Sequence, residues 1–479
     1  MSNVKQPSLL QAILPLLIIV ISAAFSILRW NAGMFVPLLT GIVTTALLGL
    51  YLGYKWSDLE KFLSDGVSRA LTAIFMLFII GSIIGTWILS GVIPTLIYYG
   101  LDILSPDIFL PTVAITTAIL GLATGSSFTA IATIGLAFMA VGQGIGFPPA
   151  LVAGTIISGA LFGDKLSALS DTTNLTPAMV DTDLFSHIKH MLWDSIPAFA
   201  ICLVLYYFFG MQYSGNSINL EKVSAIMDAL NQTFNINPVL LLLPVLTIYI
   251  VTRKFPAIPS LLLVSVLGGI TAIAFQGSSL SQVIQSITNG YTSQSGLELL
   301  DSLLNQGGMK SMFELIALVI LATAFGGILE GTGVLKTVLN SFINKARTTG
   351  SLIFSTILST LVIGFASGAQ YLAIILPARA FVGAYKQRGL DTKNLSRCIE
   401  AAGTVGINLV PWSVNALFAA KVLGVSPTEF IPFIFFSFLI PLINLIYGYT
   451  GISIVNKTYP EKGTDSISQS EPDEREVVM

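Results

Sequence analysis

Charge is what this chain has least of. Only 10% of its 479 residues are Asp, Glu, Lys or Arg, while 54% are hydrophobic. A water-soluble globular chain carries roughly 25% charged residues, so that class is excluded. The two cysteines, Cys202 and Cys398, lie far apart in apolar or juxtamembrane surroundings. They give neither a disulfide framework nor a metal-ligand spacing. Neither HExxH nor GxSxG occurs, and no nucleophile–base pair suggests itself, so the chain reads as a non-enzyme without a resident cofactor. With a formal charge of −2 and no basic aromatic patch, nucleic acid is not a partner. The apolar runs lack period-2 alternation, which excludes an outer-membrane barrel.

What is present is a series of long apolar runs. Residues 9–28, 35–54, 70–90, 191–210, 258–275, 312–329 and 430–449 are the clearest, and roughly 20 apolar residues span a bilayer. The expected class is an all-α polytopic membrane protein. The first run has only Lys5 ahead of it and no small-residue cleavage site, so it reads as a retained helix rather than a signal peptide. Basic residues gather at Lys55, Lys61 and Arg69, at Arg253 and Lys254, at Lys336, Lys345 and Arg347, and most densely at Arg379, Lys386, Arg388, Lys393 and Arg397. If these loops are cytoplasmic, the N-terminus is inside. The polar tail after Asn456 then reads as a disordered cytoplasmic end.

Inside this apolar chain stands a polar stretch, Gly163-Asp164-Lys165-Leu166-Ser167-Ala168-Leu169-Ser170-Asp171-Thr172-Thr173-Asn174. Charged groups at membrane depth mark function by default. Two other regions carry small polar clusters mid-run, Ala123-Thr124-Gly125-Ser126-Ser127 and Ala366-Ser367-Gly368-Ala369-Gln370. They read as the tips of helical hairpins that dip into the membrane. Each is followed by an interrupted helix, the first broken at the polar stretch and the second near Gly406-Ile407-Asn408-Leu409-Val410-Pro411-Trp412-Ser413. At a constant offset of 243, Ala123, Gly125, Ala130 and Ile131 match Ala366, Gly368, Ala373 and Ile374, and Gly163, Leu166 and Ser170 match Gly406, Leu409 and Ser413. This is an internal repeat, and the loop charges make it inverted. Corresponding interrupted segments in two halves point to a transporter site.

A small hard cation takes oxygen ligands. Ser126, Ser127, Thr172, Thr173, Asn174 and freed carbonyls supply them, and Asp164 or Asp171 supplies the charge. Burial favours the protonated acid and a nearby cation favours the carboxylate, so one site can hold Na+ or H+ in turn. The expected Na+ ligands are Asp164, Asp171 and Thr172, with Lys165 pairing with one of the two acids. A surface loop whose acids merely cap helices is the other reading.

Gly163-Asp164-Lys165-Leu166-Ser167-x-Leu169-Ser170-Asp171-Thr172-Thr173-Asn174-Leu175, followed by Asp183-Leu184-Phe185-x-His187-Ile188-x-His190-Met191, resembles the signature of the NhaC-type Na+/H+ antiporter family. Gln370-Tyr371-Leu372-Ala373-Ile374-x-Leu376-Pro377-x-Arg379 and Pro411-Trp412 fit as well. The resemblance covers nearly the whole chain. It implies a multi-pass secondary antiporter of a bacterial or archaeal cytoplasmic membrane, elevator-like motion and a homodimer. It also brings in relatives that exchange malate for lactate, so small organic acids are alternative substrates. Two departures stand out: Ala168 where a proline is common, and Ser367-Gly368-Ala369 ahead of Gln370 where an acid occurs.

The remaining polar residues have two readings each. His187 and His190 serve as a proton relay or as an interfacial anchor. Glu400 pairs with Arg397 or faces the site. Ser367, Gly368, Gln370, Asn408, Ser413 and Asn415 line the site from the second repeat or cap half-helices. The expected partition is 1–108 scaffold helices, 109–210 first hairpin, broken helix and following span, 211–350 central spans and extracellular connectors, 351–456 second hairpin, broken helix and last span, and 457–479 tail.

Overall fold

In hydrocarbon every backbone N–H and C=O needs an internal partner, so runs this apolar become helices. A computed structural model describes residues 4–30, 32–103, 106–214, 220–252, 257–297, 300–301, 304–343 and 346–458. Arg253, Lys254 and Lys345 of the basic loops, and the tail from 459 onward, lie outside the described residues. Eight described helices are long and apolar enough to cross a membrane, and up to 13 spans result if each bent pair counts as one. The protein is an all-α polytopic membrane protein.

Several elements differ from the sequence reading. The run at 191–210 begins earlier, as a 31-residue helix Leu184–Ser214 whose first turns bury His187 and His190. The stretch after Ser68 is preceded by an amphipathic helix, Trp56–Ser68, where a basic loop was expected. Its Gly66 lies so close to Phe313–Gly331 that a Cβ there would meet the Thr323 carbonyl oxygen at 2.3 Å. Val223–Thr233 and Pro238–Thr247 form a pair bent by 94° that no apolar run announces.

The repeat has a clear structural counterpart. The first hairpin runs down Pro106–Thr124 and returns from Ser127 to Gly144. The second runs through Thr349–Ser367 and returns through Gln370–Gln387. Each turns on a glycine with positive φ, Gly125 at 65° and Gly368 at 61°, a conformation glycine reaches without steric cost. The first broken helix is Pro149–Leu166 plus Asp171–Met179, bent by 50°, and the second is Thr392–Leu409 plus Val414–Leu423, bent by 48°. Ser170 and Ser413, one offset apart, cap the two second halves, accepting from the Thr173 and Ala416 N–H groups.

In the first repeat the hairpin and the broken helix share a glycine seam. A Cβ on Gly163 would lie 2.1 Å from the Ala118 carbonyl oxygen and 2.4 Å from the Leu122 nitrogen, and one on Gly159 would lie 2.2 Å from the Ala114 carbonyl oxygen. Between helices in lipid, such close backbone approach is what drives association. The equivalent position in the second repeat meets a side chain rather than backbone: a Cβ on Gly406 would stand 2.7 Å from Leu361 Cδ2.

Candidate functional site

The two hairpin tips and the first helix break meet on one cavity of about 720 Å³. Asp164 closes the last turn of Pro149–Leu166 and is buried. Its Oδ2 accepts a hydrogen bond from the Ser127 N–H at 3.0 Å, at the start of the hairpin's return arm. Its Oδ1 is buried with no hydrogen-bond partner. Buried polar atoms are nearly always satisfied, so this oxygen stands out among the cavity's polar atoms. Asp171 opens the next half-helix and is exposed to the cavity. Its Oδ1 accepts from the Thr172 N–H at 2.9 Å, and its Oδ2 accepts from the Tyr371 hydroxyl of the second tip. A carboxylate at a helix N-terminus is favoured by the helix dipole.

The neutral residues of the polar stretch do something else. A break releases backbone carbonyls, and these side chains answer them. The Thr173 hydroxyl donates to the Lys165 carbonyl at 3.0 Å, and Asn174 Nδ2 donates to the Ala168 and Ser170 carbonyls at 2.9 and 2.6 Å. The buried Thr172 hydroxyl bonds Ser170 Oγ at 3.2 Å. Thr172, expected as a cation ligand, is therefore turned into the break and not onto the cavity. Ser126 and Ser127 do line it, with Gln370 and Asn415 from the second repeat, which are bonded to each other at 3.2 Å. Ser367 instead steadies its own tip, accepting from the Ala369 N–H, and the carbonyl of Gly368 accepts from the Val414 N–H. Asn408 caps the Thr404 and Val405 carbonyls.

Lys165 is not the partner of either cavity acid. Fully buried, it donates to Asp194 Oδ1 at 2.7 Å and Ser195 Oγ at 2.9 Å. Asp194 Oδ2 accepts from Asn444 Nδ2 at 2.6 Å, and Arg397 Nε donates to Asn444 Oδ1 at 2.9 Å. Both buried cations are thus held on the far side of the broken helix, where the lysine's four-carbon stem carries its charge away from its neighbour Asp164. Arg397 also donates to Ser453 Oγ at 2.6 Å, so it does not pair with Glu400, whose Oε2 contacts the Thr176 hydroxyl. His187 and His190 are buried, with His187 Nδ1 bonded to Ser396 Oγ at 2.8 Å. Arg69, missed as a site residue, reaches the cavity wall while paired with Glu330 at 2.5 Å. Tyr371 stands at the repeat position of Phe128, and that correspondence was the signal available for it.

Asp164 and Asp171 therefore supply the cavity's uncompensated negative charge. Among the described residues no group of three or more His, Cys, Asp or Glu converges, so a cation here rests on two carboxylates and neutral oxygens. The tip glycine is part of this construction. A Cβ at Gly125 would meet the Leu169 carbonyl carbon at 2.6 Å and the Ser170 nitrogen at 2.8 Å, at a positive φ. Gly125→Ala is expected to cost about 1–2 kcal/mol from the left-handed backbone alone and to push the tip off the break. Its melting temperature in detergent and its transport rate should both fall further than those of Gly368→Ala, whose nearest contact is 3.1 Å.

Two broken helices and two hairpin tips around one buried, acidic cavity define a secondary active transporter. The chain belongs to the NhaC-type Na+/H+ antiporter family: the family model described as "Na+/H+ antiporter family" matches residues 8–167 and 159–452. It is 39% identical over 420 residues to the Na(+)/H(+) antiporter NhaC of Alkalihalophilus pseudofirmus, covering 88% of this chain and 90% of that one. It is 40% identical over 405 residues to the malate-2H(+)/Na(+)-lactate antiporter of Bacillus subtilis, covering 85% and 86%. It is 34% identical over 465 residues to the arginine/ornithine antiporter ArcD of Halobacterium salinarum, covering 96% of each.

Proposed function

We propose that this protein exchanges Na+ for H+ across a bacterial or archaeal cytoplasmic membrane by alternating access, with inverted repeats and both termini in the cytoplasm. The observation that carries the reading is the unpartnered Oδ1 of Asp164 beside Asp171 on a cavity whose nearby cations are engaged elsewhere. A proton satisfies that oxygen as an O–H group, and Na+ satisfies it as a ligand. The two occupants exclude each other, and that exclusion is the coupling. Ser126, Ser127 and Gln370 complete the oxygen shell, while Thr172, Thr173 and Asn174 hold the break open. Moving one net charge per cycle across 100 mV is worth roughly 2.3 kcal/mol, so any charge imbalance makes the exchange voltage-driven.

A second reading rests on cavity size. A volume of about 720 Å³ falls within the range of roughly 300–1,000 Å³ typical of small-molecule sites, and Arg69 at its wall could bind a carboxylate only by leaving Glu330. That reading makes the protein an exchanger of small organic acids coupled to Na+ and H+. Proteoliposomes separate the two. A Na+ gradient that moves protons with no organic acid present supports plain antiport, and Na+-dependent uptake of labelled malate or lactate with no such proton movement replaces it with the exchanger.

A further inference from the structure

Glu400 begins the π-helical turn Glu400–Val405 of the second broken helix and is fully buried. It does not line the cavity. Its Oε2 contacts the Thr176 hydroxyl, on the half-helix headed by Asp171. Its Oε1 has no partner, and the Thr404 hydroxyl stands beside the same carboxyl outside hydrogen-bonding geometry, also unpartnered. A buried carboxylate needs a countercharge, hydrogen bonds or a proton. The charged groups that act on it are Lys165 and Asp164 of the first broken helix, with Arg397 a turn earlier in its own helix and Asp171 heading the half-helix of Thr176. Lys165 is engaged by Asp194 and Ser195, Arg397 through Nε and Nη1 by Asn444 and Ser453 with its Nη2 unpartnered, and His187 Nδ1 by Ser396. Among the described residues no cation reaches the carboxyl.

The Thr176 hydroxyl faces two acceptors, Glu400 Oε2 and a carbonyl of its own helix. It has one hydrogen, and the Thr172 carbonyl lies 3.0 Å away. With that hydrogen on the carbonyl, the contact with Oε2 is a hydrogen bond only if Glu400 is protonated and donates. When Glu400 ionises, the hydroxyl hydrogen turns to it and the Thr172 carbonyl, in the half-helix of Asp171, keeps only its backbone donor. Ser396, Glu400, Thr404 and Asn408 recur every four residues, which puts them on one side of the helix, and His187 meets that stripe at Ser396. π-helical turns of this kind concentrate at functional sites.

We propose that Glu400, with Thr176 and Thr404, is a second proton-exchange site of the transport cycle, separate from the cavity where the cation binds. The proton leaves Glu400 along the stripe toward the His187 end, and the Thr176–Thr172 link reports its loss to the Asp171 half-helix.

The proposal rests on the Na+/H+ reading, and its test keeps the two apart. In proteoliposomes the H+ to Na+ ratio is measured from the voltage at which flux stops, alongside labelled Na+/Na+ exchange. Glu400→Gln keeps the Thr176 contact as the neutral acid does. It is expected to retain Na+/Na+ exchange and to move one proton fewer per Na+, and Glu400→Asp restores the count. Infrared difference spectra should show a protonated-carboxyl C=O band that is absent in Glu400→Gln and present in Asp164→Asn. An unchanged ratio in Glu400→Gln overturns the proposal, as does loss of Na+/Na+ exchange or survival of the band. If the unmodified protein moves no protons with Na+, the antiport reading fails, and the infrared band alone then decides whether Glu400 carries a proton.

Discussion

Asp164→Asn is expected to bring Na+-driven proton movement in proteoliposomes down to the level of protein-free vesicles while the protein still inserts and folds. The asparagine carbonyl can accept the Ser127 N–H as Oδ2 does now, at 3.0 Å, so the tip stays docked. The change falls on the other atom. Oδ1, buried and unpartnered, becomes an amide NH2, which cannot take up a proton or accept a cation as a ligand. Removing one charged partner from a buried site costs about 2–5 kcal/mol, or roughly thirtyfold to several thousandfold in Na+ affinity. Labelled Na+ binding to the purified variant measures this directly. Asp164→Asn that binds Na+ and couples it to protons normally would remove Asp164 from the site and leave Asp171 as the exchanging acid.

The second large effect is on stability. Lys165→Met leaves Asp194 buried, facing Asn444 and Ser195 with no cation. Breaking such a pair from one side costs about 3–5 kcal/mol, whereas replacing both members with apolar residues of similar volume is often neutral. The expected order of melting temperatures in detergent is therefore wild type, then Lys165→Met with Asp194→Leu, then Lys165→Met alone. Because Lys165 points away from the cavity, the double variant should also keep Na+/H+ exchange. A folded double variant without transport would show that the pair takes part in the cycle.

The gross architecture was legible because its signals are local. Hydropathy marks spans, and small polar residues mark tips and breaks. The offset linking Gly125 to Gly368 and Ser170 to Ser413 survives in the structure as paired positive φ angles and paired N-caps. What escaped depends on side-chain direction across the fold. Lys165 and Asp164 are neighbours in sequence, yet their charged ends diverge to Asp194 and to the cavity. Thr172, Thr173 and Asn174 read as ligands by composition, but Thr173 and Asn174 bond carbonyls freed by the break and Thr172 bonds Ser170. Glu400 meets Thr176 across 224 positions of chain, and no spacing rule foretells that. The 94° bend after Thr233 escaped because Val223–Thr233 carries its polarity on one face and lacks a continuous apolar run.

The glycine seam of the first repeat bears on the symmetry of the exchange. Gly159 and Gly163 lock the broken helix onto the hairpin backbone to backbone. Ser167 Oγ adds a hydrogen bond to the Leu122 carbonyl at 2.8 Å, and the Ser127 N–H joins the tip to Asp164. Such close-packed elements shift as a unit rather than slide past one another. On the proposed exchange, the first-repeat groups around Asp164 then keep one geometry whichever side of the membrane they face, and the preference they set between Na+ and H+ is the same at both surfaces. A carrier built this way has no built-in direction. Which ion leaves and which enters is set by the two solutions and the voltage between them, and the same molecule runs backwards when those gradients are reversed.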